Sequence, residues 1–485
     1  MSNPRPILVW LREDLRLSDN PALDAAAQAG APVVCVYILE TGKAGSRALG
    51  GASKWWLHKS LEALSADIES RGGRLLLRRG EAQDILLDLT GELEACGVFW
   101  NRRYDAGGIA ADKAIKSALK DAGLEAKSFN GRLLSEPWRI QTGSGGHYKV
   151  FTPYWKALRA EYNSTAPHPV PDALADPDAD SDTLEDWGLL PTTPNWAGQF
   201  SDMWTPGEAG ARERLETFLD GPVNDYADDR NRPDLEWSTS GLSPHLRWGE
   251  IGPAQIWRAV QGRISAGDVN ESAAWKFLSE VAWREFSYVL LYHHPDLASG
   301  NYNSNFNHMP WRDSESDLAA WQRGQTGYPI VDAGMRQLWA LGWMHNRVRM
   351  IAASFLTKHL LIPWQTGEDW FWDTLVDADP ASNAASWQWV AGSGADAAPY
   401  FRIFNPITQG QKFDPAGDYV RCWCPELAAL PDKYLFSPWE APDEVLIKSG
   451  VTLGRTYPHP IIDHSHGRQR ALDAYDQIKS NREVS

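Results

Sequence analysis

The N-terminal part of the chain alternates short apolar runs with amphipathic segments. Five runs have the length and composition of buried strands, at 7–10, 32–38, 74–77, 97–100 and 126–129. Between them, apolar positions recur at helical spacing, as over 54–70 and 109–120. This alternation predicts an α/β fold with a doubly wound parallel sheet, in which ligands bind at the carboxyl ends of the strands. The sequence has no G-x-G-x-x-G or Walker A motif, which disfavours a standard dinucleotide or NTP site in this part.

Helical periodicity dominates from residue 206 onward. Helices are predicted at 210–218, 251–260, 273–292, 330–341, 344–361 and 370–375. Residues 160–205 are rich in Pro, Asp, Ser and Thr, which indicates a long and mostly irregular connection. We therefore expect an α/β domain over 1–135, a linker over 136–205 and an all-helical domain over 206–485.

Composition narrows the class of protein. The 485 residues contain no uninterrupted apolar stretch near the roughly 18 residues of a membrane helix, and the first apolar run is too short for a signal peptide. The four cysteines are scattered and lack a zinc spacing. We expect a cytoplasmic monomer in a reducing compartment, with no structural metal and no membrane association.

The charge is unevenly distributed along the chain. A net charge of −16 argues against a nucleic-acid partner, but seven acidic residues and no basic one lie between Pro171 and Asp186, in the predicted linker. A basic groove elsewhere is therefore compatible with the overall charge. The chain also has 25 tryptophans against 14 phenylalanines. A core does not require that preference, so base stacking and electron relay are open as well as packing.

Polar side chains interrupt an apolar helical region between Trp343 and Trp389. Asn346, Arg349 and Met350 are spaced i, i+3 and i+4, so they share one face of a helix. Three more polar residues follow, Asp377, Asp379 and Asn383. Such groups are costly to bury without partners, so they predict a specific polar site among tryptophans.

Two further clusters lie earlier in the helical half. Helical spacing places Phe277, Glu280, Trp283 and Arg284 on one face, where a Glu–Arg surface pair is the plainer interpretation. Hydroxyl residues are concentrated over 238–243, just before Pro244. They can cap a helix or donate to a phosphate, and on this pattern alone the cap is favoured.

In order along the chain, the motifs resemble those of the DNA photolyase/cryptochrome family from end to end. They are the run from Val9 to Leu23, Tyr226 with Arg230, Thr239-Ser240-x-Leu242-Ser243-Pro244, Trp283-Arg284-Glu285-Phe286, Thr326-Gly-Tyr-Pro-Ile-Val-Asp332, Gly342-Trp-Met-His-Asn346-Arg-Val-Arg349-Met350, Asp377-x-Asp379-x-x-x-Asn383 and Phe401-Arg-Ile-Phe-Asn-Pro406. The resemblance implies an N-terminal antenna-binding α/β domain and an all-helical domain that binds folded, U-shaped FAD.

Carried over position by position, the resemblance implies a set of FAD contacts. They are Tyr226, Thr239, Ser240, Leu242, Ser243, Phe277, Glu280, Trp283, Asn346, Arg349, Asp377, Ala378, Asp379 and Asn383. Asn383 matches the residue beside flavin N5. Arg349 beside Asp377 implies a buried pair that favours negative charge on the ring, or a purely structural salt bridge. Phe277 stands where close relatives have tryptophan, so packing is kept but an indole hydrogen bond is lost.

The resemblance implies light-driven chemistry by one-electron transfer from a reduced flavin. Trp387, Trp364 and Trp311 match the family's tryptophan chain, with Trp387 nearest the flavin and Trp311 at the exit. Three core tryptophans are the plain alternative. Other tryptophans lie close in sequence, at 370, 372 and 389, so more than one electron route stays open.

The resemblance also implies a substrate, UV-damaged DNA whose lesion is flipped out of the duplex. Trp283 and Trp389 match the walls that stack on cyclobutane pyrimidine dimers (CPDs), and Glu280 matches a hydrogen-bond partner of the pyrimidine. Relatives that repair (6-4) photoproducts have two histidines about the positions of Asn346 and Met350, so these residues favour CPD repair. Candidate phosphate contacts are Arg230, Arg284, Arg347, Arg402 and Lys412.

The stretches 100–104 and 376–396 are most similar to the third class of CPD photolyases. In that class the antenna is 5,10-methenyltetrahydrofolate, and 8-hydroxy-5-deazaflavin is the second choice here. The expected function is light-driven CPD repair, a carbon–carbon lyase reaction. A blue-light cryptochrome receptor and a (6-4) photolyase are the alternatives.

Overall fold

The computed structural model describes residues 5–41, 47–235, 237–397 and 401–480. Packing divides the chain into two compact units. The first, the sheet unit, comprises Met1–Asn224, Ser240–Pro295 and Val376–Asp379. The second, the helical unit, comprises Asp225–Thr239, Asp296–Leu375 and Pro380–Ser485. The predicted domain boundaries at residues 135 and 205 come from the sequence pattern and not from packing, and they stay a prediction.

The sheet unit contains one five-stranded parallel sheet. Its strands are β1 Ile7–Leu11, β2 Val33–Glu40, β3 Leu76–Gly80, β4 Gly97–Asn101 and β5 Glu125–Phe129, in the order β3-β2-β1-β4-β5. All four neighbouring pairs are parallel, and Val9 lies in register between Cys35 and Phe99. The predicted fold class, an α/β doubly wound sheet followed by a helical C-terminal domain, is confirmed.

Helices cover the sheet because both of its faces are apolar. All five residues of β1 are buried. The helices of this unit are α1 Pro21–Gln28, α2 Gly51–Glu69, α3 Ala82–Glu92, α4 Ala106–Asp121, α5 Phe151–Glu161, α6 Phe200–Met203, α7 Glu208–Leu219, α9 Ser243–Trp248, α10 Pro253–Ala266 and α11 Glu271–His293. On one face, Leu8 and Trp10 lie in a buried cluster with Leu86 of α3 and Leu119 of α4.

The predicted irregular connection over 160–205 is confirmed as mostly irregular, yet part of it belongs to the sheet. Within it, the regular elements are the end of α5 at Glu161, a short 3₁₀ turn at Glu185–Trp187 and α6. The backbone of Ala175 donates to Val33 O at 2.8 Å, and that of Asp182 donates to Leu77 O at 2.9 Å. Arg74 pairs with Asp176 at 2.9 Å. The acidic run therefore borders β2 and β3, which its composition alone does not reveal.

The helical unit consists of helices and turns. Its helices are α8 Tyr226–Asp229, α12 Glu315–Gln322, α13 Pro329–Leu341, α14 Asn346–Ser354, α15 Trp364–Thr374, α16 Ser382–Ala391, α17 Pro406–Phe413, α18 Asp418–Trp423, α19 Asp432–Leu435, α20 Asp443–Lys448 and α21 His464–Ser480. The single helix predicted over 344–361 is wrong at both ends. His345 caps α14 instead of joining it, and a π-helical turn follows at Phe355–His359.

No helix in the part of the chain that the structure describes is long and apolar enough to cross a membrane.

Glu285 ties α11 to the loop that follows β5. Its carboxylate accepts the backbone N–H of Leu134 at 2.7 Å, and Arg284 lies 3.4 Å away. The side chain is buried, and burial raises the pKa of Glu285 to about 7. Arg284, the backbone N–H groups of Leu134 and Ser135, and Arg132 act in the opposite direction. A long helix is thus anchored by a carboxyl group that titrates near neutral pH.

Glu285→Gln should change how stability depends on pH. In the unfolded chain a glutamate has a pKa of about 4.3, so between that value and about 7 the folded state holds more protons. The free energy of unfolding of the wild type should therefore fall as pH rises through this window, by up to about 3 kcal/mol relative to the variant. Denaturant unfolding at a series of pH values measures it, with Glu69→Gln on exposed α2 surface as control. Parallel profiles for wild type and Glu285→Gln would contradict the assignment.

Candidate functional site

Four consecutive residues, Val376–Asp379, form the polar centre of the sheet unit and are here named the aspartate segment. Each is held by one side chain: Trp248 Nε1 donates to Val376 O (3.2 Å), Ser243 Oγ to Asp377 Oδ2 (2.6 Å), Arg247 Nε to Ala378 O (2.6 Å) and Tyr288 OH to Asp379 Oδ2 (2.7 Å). Both carboxylates are buried. The predicted contacts Ser243, Asp377, Ala378 and Asp379 are thus brought together.

The hydroxyl cluster before Pro244 does not cap α9. No side chain makes the capping hydrogen bond at Leu242, the residue that precedes the helix. Ser243 instead directs its hydroxyl to Asp377, and Ser240 accepts only a long bond from Leu242 N at 3.4 Å. The helix-cap interpretation is therefore wrong, and the hydroxyls belong to the aspartate segment and the turn before α9.

The predicted face of α11 is present in the sheet unit. Phe277 is buried and packs on Phe218, with ring centroids 4.6 Å apart. Glu280 is partly exposed and pairs with Lys276 at 2.9 Å. The ring of Trp283 lies flat on Phe151 at 3.8 Å and 10°. Phe151, which the motifs did not single out, therefore covers one face of Trp283.

Arg284 is engaged within the sheet unit. Its guanidinium donates to the carbonyl of Arg132 at 2.9 Å and lies beside Glu285. Only 10% of the side chain is exposed. This geometry gives Arg284 a role inside the fold, and we leave it out of the phosphate contacts considered below.

In the helical unit, the first turn of α14 carries Asn346, Arg349 and Met350 at the predicted spacing. Asn346 is exposed and Met350 is partly exposed. Arg349 Nε donates to Met344 O at 2.7 Å, which fixes its guanidinium beside the start of the helix. The prediction of a shared polar face is thus confirmed at the level of helix geometry.

His345 precedes that turn and is buried. Its Nδ1 accepts the backbone N–H of Arg347 at 3.2 Å, and its Nε2 has no hydrogen-bond partner among the described residues. Burial, and then the charges of Arg347, Arg349 and Arg230, lower the pKa of His345 to about 3. The imidazole is therefore neutral at neutral pH.

Asn383, on α16, has its amide orientation fixed by Glu368 of α15. Its Nδ2 donates to the Glu368 carboxylate at 2.7 Å and to the Glu368 carbonyl at 3.1 Å. Because both bonds use the nitrogen, Oδ1 is left as an acceptor for a ligand. Glu368 is buried, and the motifs did not identify it. Its only sequence signal is an acidic residue within the aromatic stretch of α15.

The three predicted relay tryptophans lie in the helical unit. Trp387 is buried edge-on to Phe371, with ring centroids 4.9 Å apart. Trp364 is also buried and donates to Asn301 Oδ1 at 2.8 Å. Trp311 is partly exposed and packs near Leu361, three residues before Trp364. Two buried rings and one outer ring agree with the predicted order without testing it.

Gly367 allows α15 to pack on Trp387. A Cβ at this position would lie 2.2 Å from Trp387 Cη2 and 2.6 Å from Leu356 Cδ2. A side chain there would have to displace the indole ring, because both neighbours are within the packed interior. This glycine therefore sets the position of Trp387.

Four predicted phosphate contacts fall in one neighbourhood of the helical unit. Arg347 is held by Asn231 Oδ1 at 2.7 Å and lies 4.3 Å above the Phe413 ring, close to Lys412. Burial and then the charges of Arg230 and Arg402 lower the pKa of Arg347, which shows that the three arginines are neighbours. Arg402 and Trp389 line one small cavity. Several cations are therefore grouped in this part of the helical unit, although the net charge of the chain is negative.

The remaining predicted contacts lie at the start of the helical unit. Tyr226 begins α8 and is buried, with the Arg230 guanidinium 5.6 Å from its ring. Thr239 is partly exposed. The fourteen predicted FAD contacts are thus divided between the two units, nine in the sheet unit and five in the helical unit.

Comparison with known proteins identifies the family. The sequence matches a family model described as DNA photolyase over residues 7–173 and one described as FAD binding domain of DNA photolyase over residues 277–477. A deoxyribodipyrimidine photo-lyase of Agrobacterium fabrum is 56% identical over 479 residues, 98% of this chain and 98% of that protein. The chain belongs to the DNA photolyase/cryptochrome family.

The chain is similar to photolyases and to cryptochromes, the two kinds of protein in this family. The structure of a class III photolyase from Agrobacterium tumefaciens is 55% identical, with a TM-score of 0.96 over 99% of each chain. A cryptochrome of Synechocystis has a TM-score of 0.89 at 27% identity, over 98% of this chain and 100% of that one. Cryptochrome-1 of Arabidopsis thaliana is 36% identical over 97% of this chain and 70% of that protein. The similarity is greater to the class III photolyase.

The side chains present fit the FAD of a photolyase. In the sheet unit, two buried carboxylates and the hydroxyl of Ser243 offer polar partners to a nucleotide. In the helical unit, Asn383 offers a carbonyl oxygen whose direction Glu368 fixes. Among the described residues, no group of three or more His, Cys, Asp or Glu is arranged to hold a metal ion.

Gly367→Ala should destabilise the photolyase and displace Trp387. Overpacking a rigid interior typically costs about 1–3 kcal/mol, which we expect as a lower free energy of unfolding. Gly262→Ala in α10 is the matched control, since a Cβ there meets no atom within 4 Å. It should be neutral or stabilise by up to about 1 kcal/mol. Thermal unfolding of both variants measures the difference, and equal effects would contradict the packing argument.

Proposed function

We propose that the chain is a deoxyribodipyrimidine photo-lyase that repairs cyclobutane pyrimidine dimers in UV-damaged DNA. The observation that carries this proposal is the first turn of α14. Asn346 and Met350 stand on it where a (6-4) enzyme needs histidines, and the neighbouring His345 is buried and neutral. No side chain of this turn can therefore supply the proton transfer that (6-4) repair requires. The similarity to a class III photolyase supports the same function.

The reaction requires little acid–base chemistry from the protein. When bound, reduced FAD supplies one electron to the dimer under blue light. Both carbon–carbon bonds of the cyclobutane ring break. Because the electron is not consumed, substrate and product have the same overall oxidation state. The protein's task is to bind, orient and keep water from the reacting groups.

We propose lesion contacts within each unit, at the positions that the family resemblance implies. Trp283, which Phe151 covers on one face, is the proposed first wall, and Trp389 is the proposed second wall. Glu280 is the proposed hydrogen-bond partner of a pyrimidine edge, and Asn346 and Met350 are the proposed contacts to the dimer. The partial exposure of Trp283 and Met350 supports this assignment.

Contacts to the phosphate backbone of DNA are assigned to Arg230, Arg347, Arg402 and Lys412. Clustered cations are the usual partners of phosphates and carry no base specificity. The proximity of Arg230 and Arg402 to Arg347, whose pKa their charges lower, supports a common role. Because such contacts release counterions, binding of damaged DNA should weaken as salt is raised.

The antenna remains a separate proposal. Similarity to the class III photolyase favours 5,10-methenyltetrahydrofolate in the sheet unit, with 8-hydroxy-5-deazaflavin as the second choice. A photolyase of Sulfolobus tokodaii was solved with two FAD molecules, so the pigment differs within the family. The absorption spectrum of pigment released from the holoprotein distinguishes these molecules.

Blue light should lower the CPD content of DNA in the presence of the photoreduced protein. The substrates are oligonucleotides, single-stranded and duplex, that contain either one CPD or one (6-4) photoproduct. We expect light-dependent loss of the CPD only, measured by chromatography of the digested DNA. A dark reaction and a lesion-free oligonucleotide are the controls. Loss of the (6-4) lesion would favour that photolyase, and light-driven flavin chemistry without any repair would favour a cryptochrome.

Trp387→Phe should abolish fast photoreduction of the oxidised cofactor while sparing repair by enzyme that is reduced beforehand. Phenylalanine keeps most of the packing but is far harder to oxidise than tryptophan. Trp100→Phe in β4 is the matched control, because Trp100 is equally buried and its indole N–H has no hydrogen-bond partner among the described residues. Absorbance changes under blue light with an added thiol measure the rate. Unchanged photoreduction in Trp387→Phe would remove this residue from the relay.

A further inference from the structure

A line of buried side chains connects the loop after β1 to the aspartate segment. Arg132 contacts Glu13 and donates to Tyr288 OH at 2.9 Å, and Tyr288 in turn donates to Asp379 Oδ2 at 2.7 Å. Arg247 also bridges the two ends, since it pairs with Glu13 at 2.8 Å and donates to Ala378 O. All of these residues belong to the sheet unit.

Tyr288 can act only as a donor toward Asp379. Burial raises the pKa of Tyr288 to about 12, so its hydroxyl keeps the proton throughout the physiological range. Burial also lowers the pKa of Arg132 to about 10, which leaves its guanidinium charged at neutral pH. Since the charged guanidinium donates to the tyrosine oxygen, the tyrosine proton is directed to the carboxylate.

The hydrogen bond from Tyr288 to Asp379 is of the stronger, charge-assisted kind. A hydrogen bond to an ionised carboxylate is roughly twice as strong as one between neutral groups, and Asp379 is 5% exposed. The ring of Tyr288 is itself fixed, because the guanidinium of Arg284 lies 5.0 Å from its centroid and that of Arg132 lies 5.6 Å from it. The hydroxyl therefore holds the carboxylate in one orientation.

We propose that Tyr288 is a positioning residue that orients the Asp379 carboxylate for FAD binding. This inference rests on the proposed function, and on the FAD contacts that the family resemblance implies for Asp377, Ala378 and Asp379. No family motif in the sequence includes Tyr288, which lies two residues beyond Trp283-Arg284-Glu285-Phe286. In this proposal, Tyr288 acts on the contact between Asp379 and the cofactor through its hydroxyl group.

Tyr288→Phe tests the proposal because it removes only that hydroxyl and keeps the ring between the two arginines. The chain offers a matched control in the helical unit. Tyr457 is also buried, and its hydroxyl donates to the buried Asp332 at 2.6 Å. Tyr457→Phe therefore removes the same Tyr–Asp bond far from the aspartate segment in sequence. Tyr288→Phe should lose at least as much stability in urea as Tyr457→Phe, because it also removes the bond that Arg132 donates to the Tyr288 oxygen.

FAD affinity separates a positioning role from a structural one. We expect the dissociation constant of FAD, measured by fluorescence on refilling the apoprotein, to rise about tenfold in Tyr288→Phe, as loss of one such bond implies. Tyr457→Phe should keep the wild-type constant. Release of flavin after dilution of the holoprotein gives the same comparison without requiring a stable apoprotein.

The outcomes are distinct. If the wild type does not bind FAD, the proposed function itself fails. If the wild type binds FAD and Tyr288→Phe binds it equally well, the positioning role is overturned. An equal loss of affinity in Tyr457→Phe also overturns it, because the effect would then follow from general destabilisation.

Discussion

Buried carboxylates constrain the whole sheet unit. An ionised carboxylate in a protein interior is stable only when hydrogen bonds or opposite charges compensate for lost hydration. Asp377 and Asp379 meet this condition through Ser243 and Tyr288, and Tyr288 is in turn held by Arg132. The aspartate segment therefore packs with the sheet unit although its neighbours in sequence belong to the helical unit. One hydrogen-bonded network thus joins residues that are far apart along the chain.

The helical unit relies on aromatic packing instead. Trp387 lies against Phe371 and Trp321, and Gly367 leaves the space that its indole needs. The same two helices orient Asn383 through the buried Glu368. A rigid environment suits electron transfer, because a fixed ring and a fixed amide keep their distances and energies constant. The surplus of tryptophan over phenylalanine is partly explained by this requirement for oxidisable rings within a core.

The local distribution of charge differs from the net charge of the chain. The chain is acidic, yet the charges of Arg230 and Arg402 lie close enough to Arg347 to lower its pKa, and Lys412 lies nearby. Much of the negative charge lies in the connection that borders the sheet, where Arg74 pairs with Asp176. Net charge therefore says little about partners for a protein of this size, whereas the cluster indicates an anionic one.

The apolar pattern and the ordered motifs predicted the class of fold and the family, both of which are confirmed, and a set of site residues that stays a prediction. Strand alternation predicted the parallel sheet because the period of apolar positions reflects burial directly. Ordered motifs identified Asn383, Asp379 and Trp387 because each recurs at a fixed place in the family. Only the tertiary structure revealed Tyr288, Glu368 and Phe151, which act through other residues and come close to them only on folding. It also showed that the guanidinium of Arg284 donates to the carbonyl of Arg132, and that the hydroxyl of Ser243 donates to Asp377 instead of capping α9. In both cases the polar group had a nearer partner in space, and periodicity along one chain segment carries no information about partners that lie more than a hundred residues away.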